Sequence, residues 1–136
     1  MRAFIRILII LLLTCNVKAQ RNTDLLDSIL DYICQKEIKH ADIVIKQVIL
    51  ETGWLKSKYL MSKNNLFGFR VTKQYMKFSS WKHSVDYYKT WQDRKYKDPS
   101  EDYYKFLVRI HYAASGYLNN LKRVKYNKSC NSSEGQ

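Results

Sequence analysis

The chain has 136 residues, with 24 Lys+Arg against 12 Asp+Glu and a formal net charge of +12. Such a length reads as one domain with one modest core, and such a charge points to polyanionic partners: cell wall, membrane surface or nucleic acid. His40, His83 and His111 are scattered and no Cys-x-x-Cys or His-Glu-x-x-His spacing occurs, so no metal and no cofactor are expected.

Residues 1–19 read as a secretory signal peptide. Arg2 and Arg6 form a basic start, Ile7 to Leu13 a short apolar run, and Val17-Lys18-Ala19 a cleavage site before Gln20. The apolar run falls well short of the roughly 20 residues a spanning helix needs, so no stable membrane insertion is expected after cleavage. An uncleaved interfacial anchor and lipidation at Cys15 are the competing readings, the latter weakened by Thr14 before the cysteine. Export, to the periplasm or the outside of the cell, makes nucleic acid the least fitting partner. Loss of Arg2, Arg6 and Lys18 leaves 21 cations against 12 acids, a formal charge of +9. Cys34 and Cys130 remain, and either a disulfide or two free thiols fits an oxidising compartment.

The pattern predicts a helix over 24–38, capped by Asn22 or Thr23, with Leu25, Leu26, Ile29, Leu30 and Ile33 on one face. A second, very apolar helix follows over 41–52 and reads as the buried centre of the fold, with Gly53 as its left-handed stop. Its last turn carries Glu51. From Thr52 to Val85 there is no other acid, but there are seven cations and seven aromatics. A lone acid in that setting suits a proton donor facing a neutral or anionic polymer; a solvated helix end with core aromatics fits the same pattern. A short helix at 57–62, a turn at Asn64-Asn65 and a small hairpin, 66–71 and 75–79 around Thr72-Lys73-Gln74, come next. Helices are predicted over 81–94, over 99–112 with Asp98 as N-cap, Pro99 at N1 and Glu101 at N3, and over 117–124. Residues 20–124 form the domain, and 125–136 read as a polar, disordered tail. The eleven tyrosines are expected to be half-buried with wet hydroxyls.

The run Leu50-Glu51-Thr52-Gly53-Trp54, with Ser57 and then Asn64-Asn65-Leu66-Phe67-Gly68, resembles the signature of the glucosaminidase domain of bacterial cell-wall hydrolases, including the Bax-like and flagellar muramidase-type members. The likeness extends over about residues 24–124. It implies a mainly α (α+β), lysozyme-like fold: a helical lobe, a small β-hairpin lobe and a groove between them. It further implies an exported, monomeric hydrolase of the endo-beta-N-acetylglucosaminidase type, acting on the β-1,4 backbone of peptidoglycan glycan strands. Glu51 is the implied general acid, with Trp54, Asn65, Phe67, Gly68, Tyr75 and Tyr112 at the substrate. Trp54 suits a sugar-stacking wall or core packing equally, and Asn65 suits a turn as well as a substrate amide.

The chain departs from the pattern in three places. Leu55 replaces the glycine after the tryptophan. Ser115-Gly116 replaces an Asp-Pro in the segment from His111 to Tyr117. The hairpin lacks the second carboxylate, carrying Tyr75, Lys77, Phe78 and Ser79 instead, and Asp86 reads as structural. A non-catalytic or weakly catalytic peptidoglycan-binding module is therefore the alternative. A cationic membrane-active protein fits less well, because the apolar faces are committed to a core.

Overall fold

The computed structural model describes residues 2–112 and 116–130, with side chains from Ala19 onward. The first helix, α1 (Arg2–Gln35), is longer than the pattern predicts at its start and three residues shorter at its end. Neither expected cap is one. Thr23 Oγ1 donates back to the Ala19 carbonyl, 3.1 Å away within the helix, as Thr does when nothing breaks the turn before it. Asn22 reaches out to the Trp54 carbonyl at 3.3 Å. Most of the expected leader has its side chains outside the described residues. Among the described residues no helix is long and apolar enough to cross a membrane. Glu37 and His40 take positive φ, 53° and 56°, and turn the chain into α2 (Ala41–Thr52).

Helix α2 packs on α1 and on α6 (Tyr117–Arg123). Ile43, Val44, Ile45, Val48 and Ile49 are buried, as are Gln47 and Thr52. Each large aliphatic side chain contributes about 1.5–3 kcal/mol when fully removed from water, so this helix anchors the lobe. Gly53 (φ 55°) ends it, its N–H bonded to the Ile49 carbonyl. The next element, α3 (Lys58–Ser62), is capped by Ser57, whose side chain accepts from the Leu60 N–H.

The hairpin is smaller than predicted. Strands β1 (Arg70–Val71) and β2 (Gln74–Tyr75) pair antiparallel, Arg70 opposite Tyr75 and Val71 opposite Gln74. Thr72 has a φ of 55°, the left-handed start that two-residue hairpin loops favour. So short a ladder does not stand alone, and Asn65 supports it. Its Oδ1 accepts from the Phe69 N–H at 3.0 Å, and its Nδ2 donates to the Phe69 and Met76 carbonyls at 2.8 and 3.0 Å.

Helix α4 (Trp81–Lys95) starts at Ser80, which accepts from the His83 N–H. Val85 and Tyr88 are buried and Trp81 and Trp91 pack against the core, the one apolar face that their spacing gives the helix. Helix α5 (Tyr103–Arg109) begins four residues later than expected, because Asp102 and not Asp98 is its N-cap, accepting from the Lys105 N–H. Asp98 closes a local turn onto the N–H and hydroxyl of Ser100. Tyr103, Phe106 and Leu107 face inward.

The segment expected to be a loose tail lies along α1 as far as Cys130. Tyr126 donates to Asp27 at 2.8 Å, Lys128 pairs with the same carboxylate, and Cys130 is bonded to Cys34. This crosslink spans 96 residues of sequence and constrains the unfolded chain strongly. Replacing both cysteines with serine is expected to lower the unfolding free energy by about 2–4 kcal/mol. Urea titration of the oxidised protein against the double variant checks this.

Candidate active site

Glu51 lies in the last turn of α2, where the helix can hold a side chain at the edge of the core. Its carboxyl meets the hairpin lobe at Gly68. A Cβ placed on Gly68 would stand 2.7 Å from Glu51 Oε2, closer than atoms can pack. Gly68 also has a φ of 66°, a conformation glycine adopts without strain. The backbone angle favours glycine here, and a side chain at this position would push the Glu51 carboxyl aside.

The two lobes enclose a cleft of about 580 Å³. The hairpin side supplies Phe67, Gly68, Phe69, Arg70 and Tyr75, α4 supplies Trp91 and Lys95, and the chain after α5 supplies Ile110, His111 and Tyr112. Glu51 is the one carboxylate among these lining residues. Burial raises its pKa above the ordinary carboxylate value, while the Tyr117 hydroxyl and the Arg70 guanidinium draw it part of the way back. The negative end of α2 acts in the same sense as burial.

A polar chain underlies the acid. Tyr88 donates to Gln47 Oε1 at 2.6 Å, its hydroxyl shares a 2.6 Å hydrogen bond with Tyr103, and Gln92 donates to Tyr103 at 2.9 Å. Gln92 also holds the backbone of Lys39 through both amide atoms. These hydroxyls are buried and paired, not wet as expected from the sequence. Burial pushes Tyr103 up to about 12. The chain ends at two buried atoms that have no hydrogen-bond partner among the described residues, Gln47 Nε2 and the Tyr117 hydroxyl. Tyr117 lies near both Gln47 and Glu51 without reaching full hydrogen-bond geometry to either.

Of the residues predicted from the sequence, Glu51, Phe67, Gly68, Tyr75 and Tyr112 come together around the cleft. Tyr112 donates to the Phe67 carbonyl at 3.2 Å, tying the segment after α5 to the hairpin lobe. Two predicted residues stand apart. Asn65 is fully buried and its amide is used up within the hairpin, so it positions the flap. Trp54 is 42% exposed and is absent from the cleft lining. The backbone explains its displacement: Gly53, Trp54 and Leu55 have successive φ values of 55°, 60° and 62°, a left-handed turn that swings the indole outward. Thr52 Oγ1 braces this turn, accepting from the Leu55 N–H at 3.0 Å and donating to the Val48 carbonyl at 2.7 Å. Asp86 is engaged by Tyr32 and Lys36. The sequence does not single out Arg70, Trp91, Lys95 or Tyr117 as site residues. Tyr117 stands in the quoted segment from His111 onward, and Arg70 two residues beyond Gly68, so position was the available signal for these two.

A helical lobe, a two-stranded flap and an acid at the end of the central helix define a lysozyme-like architecture. A family model described as Glucosaminidase, mannosyl-glycoprotein endo-beta-N-acetylglucosaminidase, matches residues 28–131. The chain belongs to that family, which is a family of glycan hydrolases. No curated protein and no solved structure matches it.

Two outcomes follow from this geometry. Gly68→Ala should lower stability by about 1–3 kcal/mol through backbone strain, with a further loss from the clash. Only the clash part should be recovered when Gly68→Ala is combined with Glu51→Ala, which a double-mutant cycle measures. Because the folded-state pKa of Glu51 is raised, the native protein binds its proton more tightly than the unfolded chain does. The ionised carboxylate therefore costs stability above that pKa, and the cost disappears as pH falls through it. Glu51→Gln should melt at a higher temperature than wild type at pH 7, with the gap closing in acid.

Proposed function

We propose that the protein is an exported peptidoglycan hydrolase that cleaves the β-1,4 glycan backbone as an endo-beta-N-acetylglucosaminidase, with Glu51 as general acid. The observation that carries this reading is the placement of one carboxyl, its proton affinity raised by burial, in a cleft otherwise lined by aromatic and basic groups. Hydrolysis needs a proton delivered to the leaving glycosidic oxygen as positive charge develops at the anomeric carbon. A carboxyl that keeps its proton at higher pH than an exposed one suits the first task.

The second task has no carboxylate among the lining residues. Tyr112 is a poor substitute, since burial pushes its pKa well up and its hydroxyl is already donated to Phe67. The substrate's own 2-acetamido oxygen fits better. It can close on the anomeric carbon as the bond to the leaving oxygen breaks, and the proton from Glu51 goes to that oxygen. Glu51, now ionised, can then take a proton from the water that opens the ring. Export through residues 1–19 is part of the same proposal.

The absent second carboxylate also favours another reading, a module that holds peptidoglycan without turning it over. Zymography on purified sacculi separates the two. A cleared band is expected for wild type, and Glu51→Gln should lose at least about 10²-fold activity while its circular dichroism is unchanged. Sedimentation with sacculi but no clearing by wild type would leave the binding module as the correct reading.

A further inference from the structure

The acid accounts for one of the three ionic side chains that chemistry places in the cleft. The other two are cations, Arg70 from β1 and Lys95 from the last turn of α4. Neither makes an ion pair among the described residues, whereas Lys36, Lys89, Arg109 and Lys128 each have a carboxylate partner. Arg70 is held in place: its guanidinium stacks 4.0 Å from the centre of the Tyr75 ring and donates to the Tyr75 hydroxyl. A fixed, unpaired guanidinium in a cleft wall keeps donors free for an anion. The surroundings reinforce it. The interval from Thr52 to Val85 contains no acid, and Lys73 and Lys77 are exposed on and beside the hairpin, so Glu51 is the one carboxylate among the lining residues that opposes this positive charge. A neutral chitin-like strand would use none of this charge.

We propose that Arg70 and Lys95 are specificity-determining residues that receive a carboxylate of the substrate, so that the cleft selects glycan strands bearing free carboxylates over neutral β-1,4-linked N-acetylglucosamine. In peptidoglycan those groups are the free carboxylates of the peptide stems and, on muramyl sugars that carry no stem, the lactyl carboxylates. This inference rests on the hydrolase reading above and narrows its substrate. It implies that amidation or other neutralisation of those carboxylates protects a strand.

The test uses two matched muropeptide oligosaccharides, one with free carboxylates and one with the same carboxylates converted to methyl amides, and chitotetraose as a neutral third. Wild type should show a kcat/KM at least about tenfold higher on the charged oligosaccharide than on its amide, as a charge-assisted hydrogen bond provides. That ratio should shrink between about 0.05 and 0.5 M salt as the charges are screened. Lys95→Gln should bring the charged-to-amide ratio down about tenfold. Arg70 also acts on Glu51, so its role is read by binding: in the Glu51→Gln background, Arg70→Gln should abolish the affinity difference between the two oligosaccharides. Equal affinities for both oligosaccharides in that background with Arg70 and Lys95 intact would overturn the proposal, as would an unchanged ratio in Lys95→Gln. If wild type turns over none of the three, the hydrolase reading fails, while the binding comparison still decides this one. Equally tight binding of a single-stranded oligonucleotide would show a general polyanion surface and would likewise overturn it.

Discussion

The contact between the Glu51 carboxyl and the backbone of Gly68 sets the relation of the two lobes. One partner stands at the end of the most buried helix in the domain; the other begins the flap. Their approach leaves no room for a Cβ. Glycine lets the flap lie directly on the acid, and the carboxyl is largely buried there. Burial, position and proton affinity are three consequences of a single packing event. The Asn65 amide is the lever that makes the event reproducible, since it holds Phe69 and Met76 on either side of the hairpin.

Rigidity on the helical side has a different origin. Phe67 stacks on Tyr88 with ring centres 4.2 Å apart, Tyr88 meets Trp91 at 5.0 Å, and Trp91 reaches Tyr112 at 5.4 Å. Phe67, Trp91 and Tyr112 line the cleft, and the buried Tyr88 behind them joins this wall to the hydroxyl chain below. The chain is paired from Gln92 to Gln47, and among the described residues Gln47 Nε2 and the Tyr117 hydroxyl have no partner. Unpaired buried polar atoms are costly, and proteins concentrate such costs where they work.

Those parts of the fold governed by local rules could be read from the residues. The apolar run 41–52 and its glycine stop predicted α2, and the spacing of Trp81, Val85, Tyr88 and Trp91 predicted α4. Gly68 drew notice because close backbone approach has a chemical signature. What escaped notice depended on partners distant in sequence. Asn22 and Thr23 look like caps, but helix propensity runs straight through them. Asp98-Pro99 looks like a helix start, but Asp102 wins because Tyr96 is tied to the Glu101 carbonyl at 2.6 Å, fixing the chain one turn later. The polar segment after Val124 carries too few apolar residues to predict order, and it is ordered by Cys130 and by two bonds to Asp27. Trp54 was placed near substrate by its neighbours, whereas three consecutive positive φ angles send it outward.

Leu55 shows how a departure from the pattern can be tolerated. The resemblance expects glycine there, and its φ of 62° explains why: a left-handed angle costs a non-glycine residue about 1–2 kcal/mol. Leu55 is nonetheless only 7% exposed, and burying such a side chain contributes about 1.5–3 kcal/mol. The two terms are comparable, so the substitution exchanges backbone ease for core packing at little net change. The Thr52 hydroxyl secures the exchange by accepting the Leu55 N–H, and Thr52 is adjacent to Glu51. A turn held this way places the acid by side-chain packing where glycine would leave it to backbone freedom.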